Sequence, residues 1–415
     1  MSLKNISLDI DFVRSQFPAF EDPLSKNWAF FENAGGSYVP QTVINHLNKF
    51  MTSTKVQPYA EYNMSKIAGD QMDKAVSLFA QMINAKNNEI LIGSSTTMNM
   101  YVLANALKKF IKPGDEIIVT NQDHEANIGA WRRLKEIGAI IKEWEINKNT
   151  AELEIDKFDN LLTNKTKIVA VTHCSNIVGT FNNLKLISEM AHKKDAFVIG
   201  DGVSYAPHGF PDVKELGIDF YTFSLYKTYG PHLALLYGKE ELFKILPNQN
   251  HEFLQGQYPY TLNPGGPNHE ELVSLLGIYE YFDKLYKHHF NDDEKLIKTK
   301  IIKLNKLISK HEEEIGNILL NYINSRKDFN LIGKKKIANK NRAPTISLTV
   351  NNKSSKNVSD VLVANNIATR NDNFYAWRCL MALGIDTNDG VVRLSMTHYN
   401  SHEDVNKLIE VLKKI

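Results

Sequence analysis

Cysteine is scarce in this chain: only Cys174 and Cys379 occur in 415 residues. Two thiols cannot build a disulfide framework, and they cannot alone fill a four-cysteine metal site. No histidine pair of the H-E-x-x-H kind occurs either, so no metal is expected. Excess charge is also missing, since 49 Lys+Arg stand against 47 Asp+Glu for a formal net charge of +2. That balance excludes a global electrostatic case for binding nucleic acid or an anionic membrane. No apolar run approaches the roughly 18–20 residues of a membrane span, and Met1 to Asp11 lacks an apolar signal core. Two nucleotide signatures are absent: G-x-G-x-x-G after a strand, and G-x-x-x-x-G-K-[ST]. Dinucleotide and P-loop chemistry are thereby disfavoured. The expectation is a soluble, reduced, cytoplasmic protein.

Hydrophobic residues at 43% and aromatics at 10% supply a sizeable core. The length suits two or three domains. Short apolar runs at Glu89–Gly93, Ile117–Thr120, Lys167–Thr172, Ala196–Gly200, Tyr221–Ser224 and Leu233–Tyr237 alternate with helical patterns such as Met64–Ala85. This predicts a mostly parallel sheet with both faces covered. After about residue 285 the texture changes. Lys298–Ile323, Val358–Asn365 and His402–Ile415 read as amphipathic helices, and Thr345–Val350 as a strand of a half-exposed sheet. A smaller α+β domain is expected there.

Four segments carry chemistry. Lys227 lies just past an apolar strand and before Gly230-Pro231. Ligands of open α/β sheets bind beyond the carboxyl ends of strands, where a lysine can form a Schiff base with an aldehyde. Taken alone, it reads as an ordinary solvated lysine. Asp201 ends the apolar run before Lys227 and would suit a pyridine nitrogen that must stay protonated, or a plain helix cap. Ser94-Ser95-Thr96-Thr97, between a strand and a helix, suits a phosphate dianion. His124, in Asp123-His124-Glu125-Ala126-Asn127, could stack on a ring and shuttle protons, or cap the backbone.

Taken together, the segments from Phe31-Glu32-Asn33-Ala34-Gly35-Gly36 to Arg393-Leu394-Ser395-Met396-Thr397-His398 resemble the class V aminotransferase family, and within it the cysteine-desulfurase-like proteins. The resemblance implies a fold-type I pyridoxal 5'-phosphate (PLP) enzyme with a mostly parallel seven-stranded sheet in a large domain, residues 25–285. A small domain would combine residues 1–24 and 286–415. It implies a homodimer acting on a small amino acid, held as an external aldimine. Lys227 would be the Schiff-base lysine and remove the α-proton, and Asp201 would pair with the ring nitrogen. His124 and Val203 would flank the ring, and Asn176 would approach the cofactor's phenolic oxygen and the substrate carboxylate. Thr96, Thr97, Ser224 and Tyr226 would hold the phosphate, and Arg393 would grip the carboxylate. β-Elimination is favoured. Aminotransferase or epimerase activity is the alternative, and a PLP-binding protein that acts through a partner without turnover is another.

Departures from the family pattern matter equally. Tyr226 replaces a usual phosphate-binding histidine, and Ser204 a usual glutamine. Gly266 stands where a hydroxyl normally reaches the neighbouring subunit's phosphate, so a backbone N–H would have to serve. Tyr375, a candidate substrate neighbour, stands about where desulfurases carry a loop cysteine. Cys379 falls in a predicted helix, Tyr375–Leu383, and reads as a small buried hydrophobe. Persulfide chemistry is therefore not expected.

Overall fold

A computed structural model describes residues 6–415. After a two-residue strand β1 (Ala29–Phe30) come β2 (Ile90–Gly93), β3 (Glu116–Thr120), β4 (Ile140–Trp144), β5 (Thr166–Thr172), β6 (Phe197–Asp201), β7 (Phe220–Ser224) and β8 (Ala234–Gly238). The last seven form one sheet in the order β2-β8-β7-β6-β5-β3-β4. Only β8 runs antiparallel to its neighbours, as the alternating strand–helix pattern predicts for a mostly parallel sheet.

Both faces of this sheet are buried, because its strands carry apolar side chains at successive positions. Ile118, Val169, Val171 and Val198 pack toward helices Asn63–Met82 and Leu276–His289. Ile117, Val119, Ile168 and Ile199 pack the other way, toward helices Thr96–Leu107 and Glu125–Arg132. Edge strand β4 reads Ile-Ile-Lys-Glu-Trp and is only partly buried. Its Lys142 pairs with Glu116 at 2.8 Å, and its Glu143 with Arg132. Charge on an edge strand opposes pairing with another chain.

The later strands are β9 (Phe329–Leu331), β10 (Thr345–Val350), β11 (Ile367–Ala368), β12 (Arg370–Asp372) and β13 (Val391–Ser395). Four of them make an antiparallel sheet, β12-β13-β10-β9. One face packs on helices Ile297–Ser325, Ser355–Ala364 and His402–Leu412. The reading of β10 as half-exposed is corrected here: every residue except Thr349 is buried. Its second face is covered by the loop after β5, where Ser347 donates to the Ile177 carbonyl at 2.7 Å.

The N-terminal segment closes onto the C-terminal part. β1 pairs in parallel with β11. Asn33 Nδ2 donates to the Ser395 carbonyl at 2.8 Å, the Ala34 N–H to Ser395 Oγ at 2.9 Å, and Asn400 Nδ2 to the Phe30 carbonyl at 2.8 Å.

Candidate active site

The carboxyl ends of β5, β6 and β7 lie side by side, with Thr172 level with Asp201 and Asp201 with Thr222. Asp201 is the last residue of β6; its Oδ1 accepts from the Val203 N–H at 2.9 Å. Lys227 ends the single 3₁₀ turn Leu225–Lys227 that follows β7, and is 6% exposed. Burial lowers its pKa to about 8, aided by Arg393 and opposed by Asp201. Burial raises the Asp201 carboxyl to about 6, against the pull of the Val203 amide and Lys227. Each group favours the charged form of the other.

Both face a cleft of about 670 Å³, partly open to solvent. One end is lined with hydroxyls. Helix Thr96–Leu107 starts there, capped by Ser95 Oγ, which accepts from the Met98 N–H at 3.2 Å. Thr96 Oγ1 and Ser224 Oγ are 2.8 Å apart, and Thr97 and Tyr226 stand beside them. The Tyr226 ring stacks on His232, with centroids 4.7 Å apart and planes 4° apart. Free N–H groups of a helix N-terminus and clustered hydroxyls together suit an anion.

His124 caps helix Glu125–Arg132, its Nδ1 accepting from the Ala126 N–H at 3.0 Å. That bond leaves Nδ1 without a proton. Burial, then Lys227 and Arg393, lowers its pKa to about 3, so the ring is neutral near pH 7. A neutral imidazole offers a flat stacking face and a single Nε2–H donor. Val203 also lines the cleft. Beside His124 lies Asp123, which the sequence reading passed over. It is fully buried, accepts from Thr120 and from Asn127 Nδ2 at 2.7 Å, and is raised by burial to about 8. The only sequence signal for it was the Asp–Asn spacing of one helical turn.

Arg393, on β13, lies just outside the lining residues. It is 2% exposed, and burial lowers its pKa to about 9. Its Nη1 donates to the Asn176 carbonyl at 3.3 Å, its Nε has no partner, and the Phe374 ring lies 3.6 Å over the guanidinium. Asn176 lines the cleft; its Nδ2 donates to the Phe374 carbonyl at 2.9 Å and its Oδ1 is unpartnered. A buried cation this short of acceptors calls for an anionic ligand.

Phe374 and Tyr375 have φ of +50° and +60°, a left-handed pair without glycine. Tyr375 is 64% exposed at the rim, and its ring stacks on His124 with centroids 5.2 Å apart. Cys379 lies in helix Trp377–Leu383, buried, with its thiol pushed up to about 12. Cys174 lines the cleft wall but is buried too, and burial pushes its thiol well up. Neither is available as a thiolate at neutral pH. Gly266 lies in an exposed turn at φ +74°, away from the cleft of its own chain.

The donor set fits PLP. A buried carboxylate, a buried lysine, a flat neutral ring and a hydroxyl-lined helix N-terminus surround one cleft. These are the groups a pyridinium nitrogen, an aldehyde, an aromatic face and a phosphate each require.

Comparison with known proteins agrees. The sequence model described as "Aminotransferase class-V" matches residues 29–408. The chain is 37% identical to the aminotransferase-like protein FGM3 of Gibberella zeae, over 100% of both chains. It is 30% identical to the cysteine desulfurase-like protein ustD of Aspergillus flavus, over 100% of this chain and 92% of the relative. Among solved structures, an apo cysteine desulfurase from Thermococcus onnurineus NA1 superimposes with a TM-score of 0.84 at 22% identity, covering 100% of this chain and 99% of that one. The Escherichia coli cysteine desulfurase CsdA gives 0.82 at 22% identity, covering 98% of each chain. These folds are of type I, and the match across nearly the whole length identifies the chain as a member of the class V aminotransferase family, a cysteine desulfurase-like, PLP-dependent enzyme.

Proposed function

We propose that the enzyme acts on a small amino acid by removing its α-proton at Lys227, and that β-elimination follows. The observation that carries this is the pair Asp201 and Lys227, buried at neighbouring strand ends and facing one cleft. Bound there, PLP supplies an aldehyde for the amine and a protonated ring that accepts electrons from the α-carbon. Asp201 holds the ring-nitrogen proton. His124 and Val203 cover the two ring faces. Thr96, Thr97, Ser224 and Tyr226 hold the phosphate. Asn176 approaches the phenolic oxygen and the substrate carboxylate, and Arg393 grips that carboxylate, with Tyr375 at the entrance. Lys227 Nζ takes the α-proton and later returns one. Elimination is favoured over persulfide formation because Tyr375 lacks a thiol and both cysteines are buried and protonated.

The enzyme works as a homodimer in this reading, with the exposed Gly266 turn at the phosphate end of the second copy's cleft, although the Gly266 N–H itself donates to the Asn263 carbonyl at 3.2 Å. Exposed Tyr59, Tyr62, Met64 and Tyr260 support an apolar contact surface. The large domain takes residues 25–285 and the small domain the remainder. No helix among the described residues is long and apolar enough to cross a membrane, and we place the enzyme in the cytoplasm.

The test is a panel of α-deuterated amino acids incubated with PLP-loaded enzyme. Loss of α-deuterium, with keto acid and a released β-substituent, is expected for at least one member. Accumulation of the pyridoxamine form would make the enzyme an aminotransferase, and loss of chirality alone an epimerase. No deuterium loss from any member would leave a cofactor-binding protein without turnover.

A further inference from the structure

Adjoining the cleft at Val203, Ser204 and Lys227 lies a small rear cavity, walled also by Asn33, His208 and Thr397. A further cavity beyond it is lined by His208, Glu312, Lys340 and Arg342. Lys227 is thus shared by the cleft and the rear cavity, and His208 by the rear and outer cavities. His208 Nδ1 and Glu312 Oε2 are 2.9 Å apart, with side chains 7% and 5% exposed. Neither residue lines the cleft.

Two polar atoms here have no partner. Glu312 Oε1 is buried and unpaired at the outer cavity, and Thr397 Oγ1 is buried and unpaired at the rear one. Buried polar groups without partners are rare, and water in a small polar cavity is the usual remedy. A structural ion pair would need neither the cavities nor the free carboxylate oxygen. Cofactor and amino acid together would fill the cleft and cut Lys227 off from water on that side. The rear cavity is the side they leave open.

We propose that His208 and Glu312 form a proton exit from Lys227 to solvent. It rests on the reading of Lys227 as the base. The α C–H bond breaks and its proton bonds to Lys227 Nζ. An Nζ–H bond then breaks, and water in the rear cavity carries the proton to His208 Nε2, since Nδ1 is taken by Glu312. His208 releases its Nδ1 proton to Glu312 Oε2, the carboxyl group then turns to bring that O–H to the outer cavity, and the same O–H bond breaks to water there. Only protons move, and each group returns to its starting state after reorientation. His208 and Glu312 act through Lys227 and touch no substrate.

The test uses PLP-loaded enzyme and, as probe, α-deuterated L-alanine in ordinary water. If the wild type shows no washout, the α-deuterated panel above replaces it. Glu312→Gln and His208→Asn should each slow deuterium washout by about 10-fold or more, below the 10²–10⁴ of a direct acid–base group. The spectral change on adding amino acid, and its primary isotope effect, should stay at wild-type values; washout is read over many turnovers, because only then does an Nζ that exchanges slowly with water fill with deuterium and return it to carbon. Glu312→Asp should restore washout. Unchanged washout in both variants, or washout lowered only in proportion to lost cofactor, overturns the exit alone. Absence of washout in the wild type with every amino acid overturns the reading of Lys227, and the exit with it.

Discussion

Asp201 ends β6 and Lys227 ends the 3₁₀ turn just past the adjacent parallel strand β7, both buried. Phe374 and Tyr375 stand across the cleft in a left-handed turn, and Tyr375 is largely exposed. The turn is tied down by contacts at its margins: Tyr375 C=O accepts from the Glu125 N–H at 2.8 Å, and Arg378 Nε bonds Glu125 at 3.0 Å. The floor of the site thus sits on regular structure whose backbone tolerates little change. The rim sits on a turn outside the strands, with Tyr375 exposed and Phe374 buried against Arg393. In our reading, the floor sets whether an α-proton can be removed, and the rim decides what happens to the rest of the substrate. A protein can keep the first and lose a sulfur relay at the second.

The sharpest way to break this division is Lys227→Ala. Covalent capture of PLP and α-proton exchange should both vanish. Borohydride reduction followed by mass spectrometry of the digest should find the cofactor on Lys227 in the wild type and on no lysine in the variant. Next comes Asp201→Asn, which keeps the shape of the floor and removes its charge. Exchange should fall by about 10²–10⁴-fold while cofactor stays bound, as absorbance after gel filtration would report. Unchanged exchange would mean that another residue serves the ring nitrogen.

A third test reads the floor through pH. Only a neutral amine attacks an aldehyde, and burial lowers Lys227 to about 8. Lowering the pKa of a cationic acid raises the neutral fraction at a given pH. The rate of PLP capture by apoprotein should therefore climb about 10-fold per pH unit below 8 and level off above it. A rate still climbing beyond pH 9 would show Lys227 in its ordinary range. The smallest effect belongs to the two buried thiols, Cys379 behind the rim and Cys174 in the cleft wall. Cys379→Ala and Cys174→Ala should each keep activity within about 2-fold, since a protonated buried thiol takes no part. A persulfide on Cys379 after incubation with cysteine, with activity lost in Cys379→Ala, would return the rim to desulfurase chemistry.

The floor was legible in the sequence because each of its residues follows an apolar strand. Val198-Ile199-Gly200 announces Asp201, and Tyr221 to Ser224 announces Lys227. Helix Asn63–Met82 and helix Trp377–Leu383 likewise follow from spacing and fall within three residues of the predicted ends. Strand β4 was not legible, because Ile-Ile-Lys-Glu-Trp at a sheet edge carries charge where an inner strand is apolar. The burial of β10 on both faces depends on a loop from another part of the chain, which no local alternation can report. His208 and Glu312 lie 104 positions apart and meet only through the fold. The stacking of Phe374 on Arg393 depends on a backbone conformation that phenylalanine seldom adopts, so nothing in the sequence announced it.

The fastening of Asn33 and Ala34 to Ser395 has a consequence for how the enzyme is made. A chain leaves the ribosome from its N-terminus, and domains fold as they emerge. The last strand of the seven-stranded sheet ends at Gly238, so the strands that carry Asp201 and precede Lys227 are made while more than two fifths of the protein is still to be translated. Residues 29–36 must wait, unpaired, until β11 and β13 arrive. Loop closure over such a separation is slow compared with local pairing. The newborn chain therefore holds Lys227 before Arg393, and the step that completes the cleft is the joining of the N-terminal segment to the C-terminal strands.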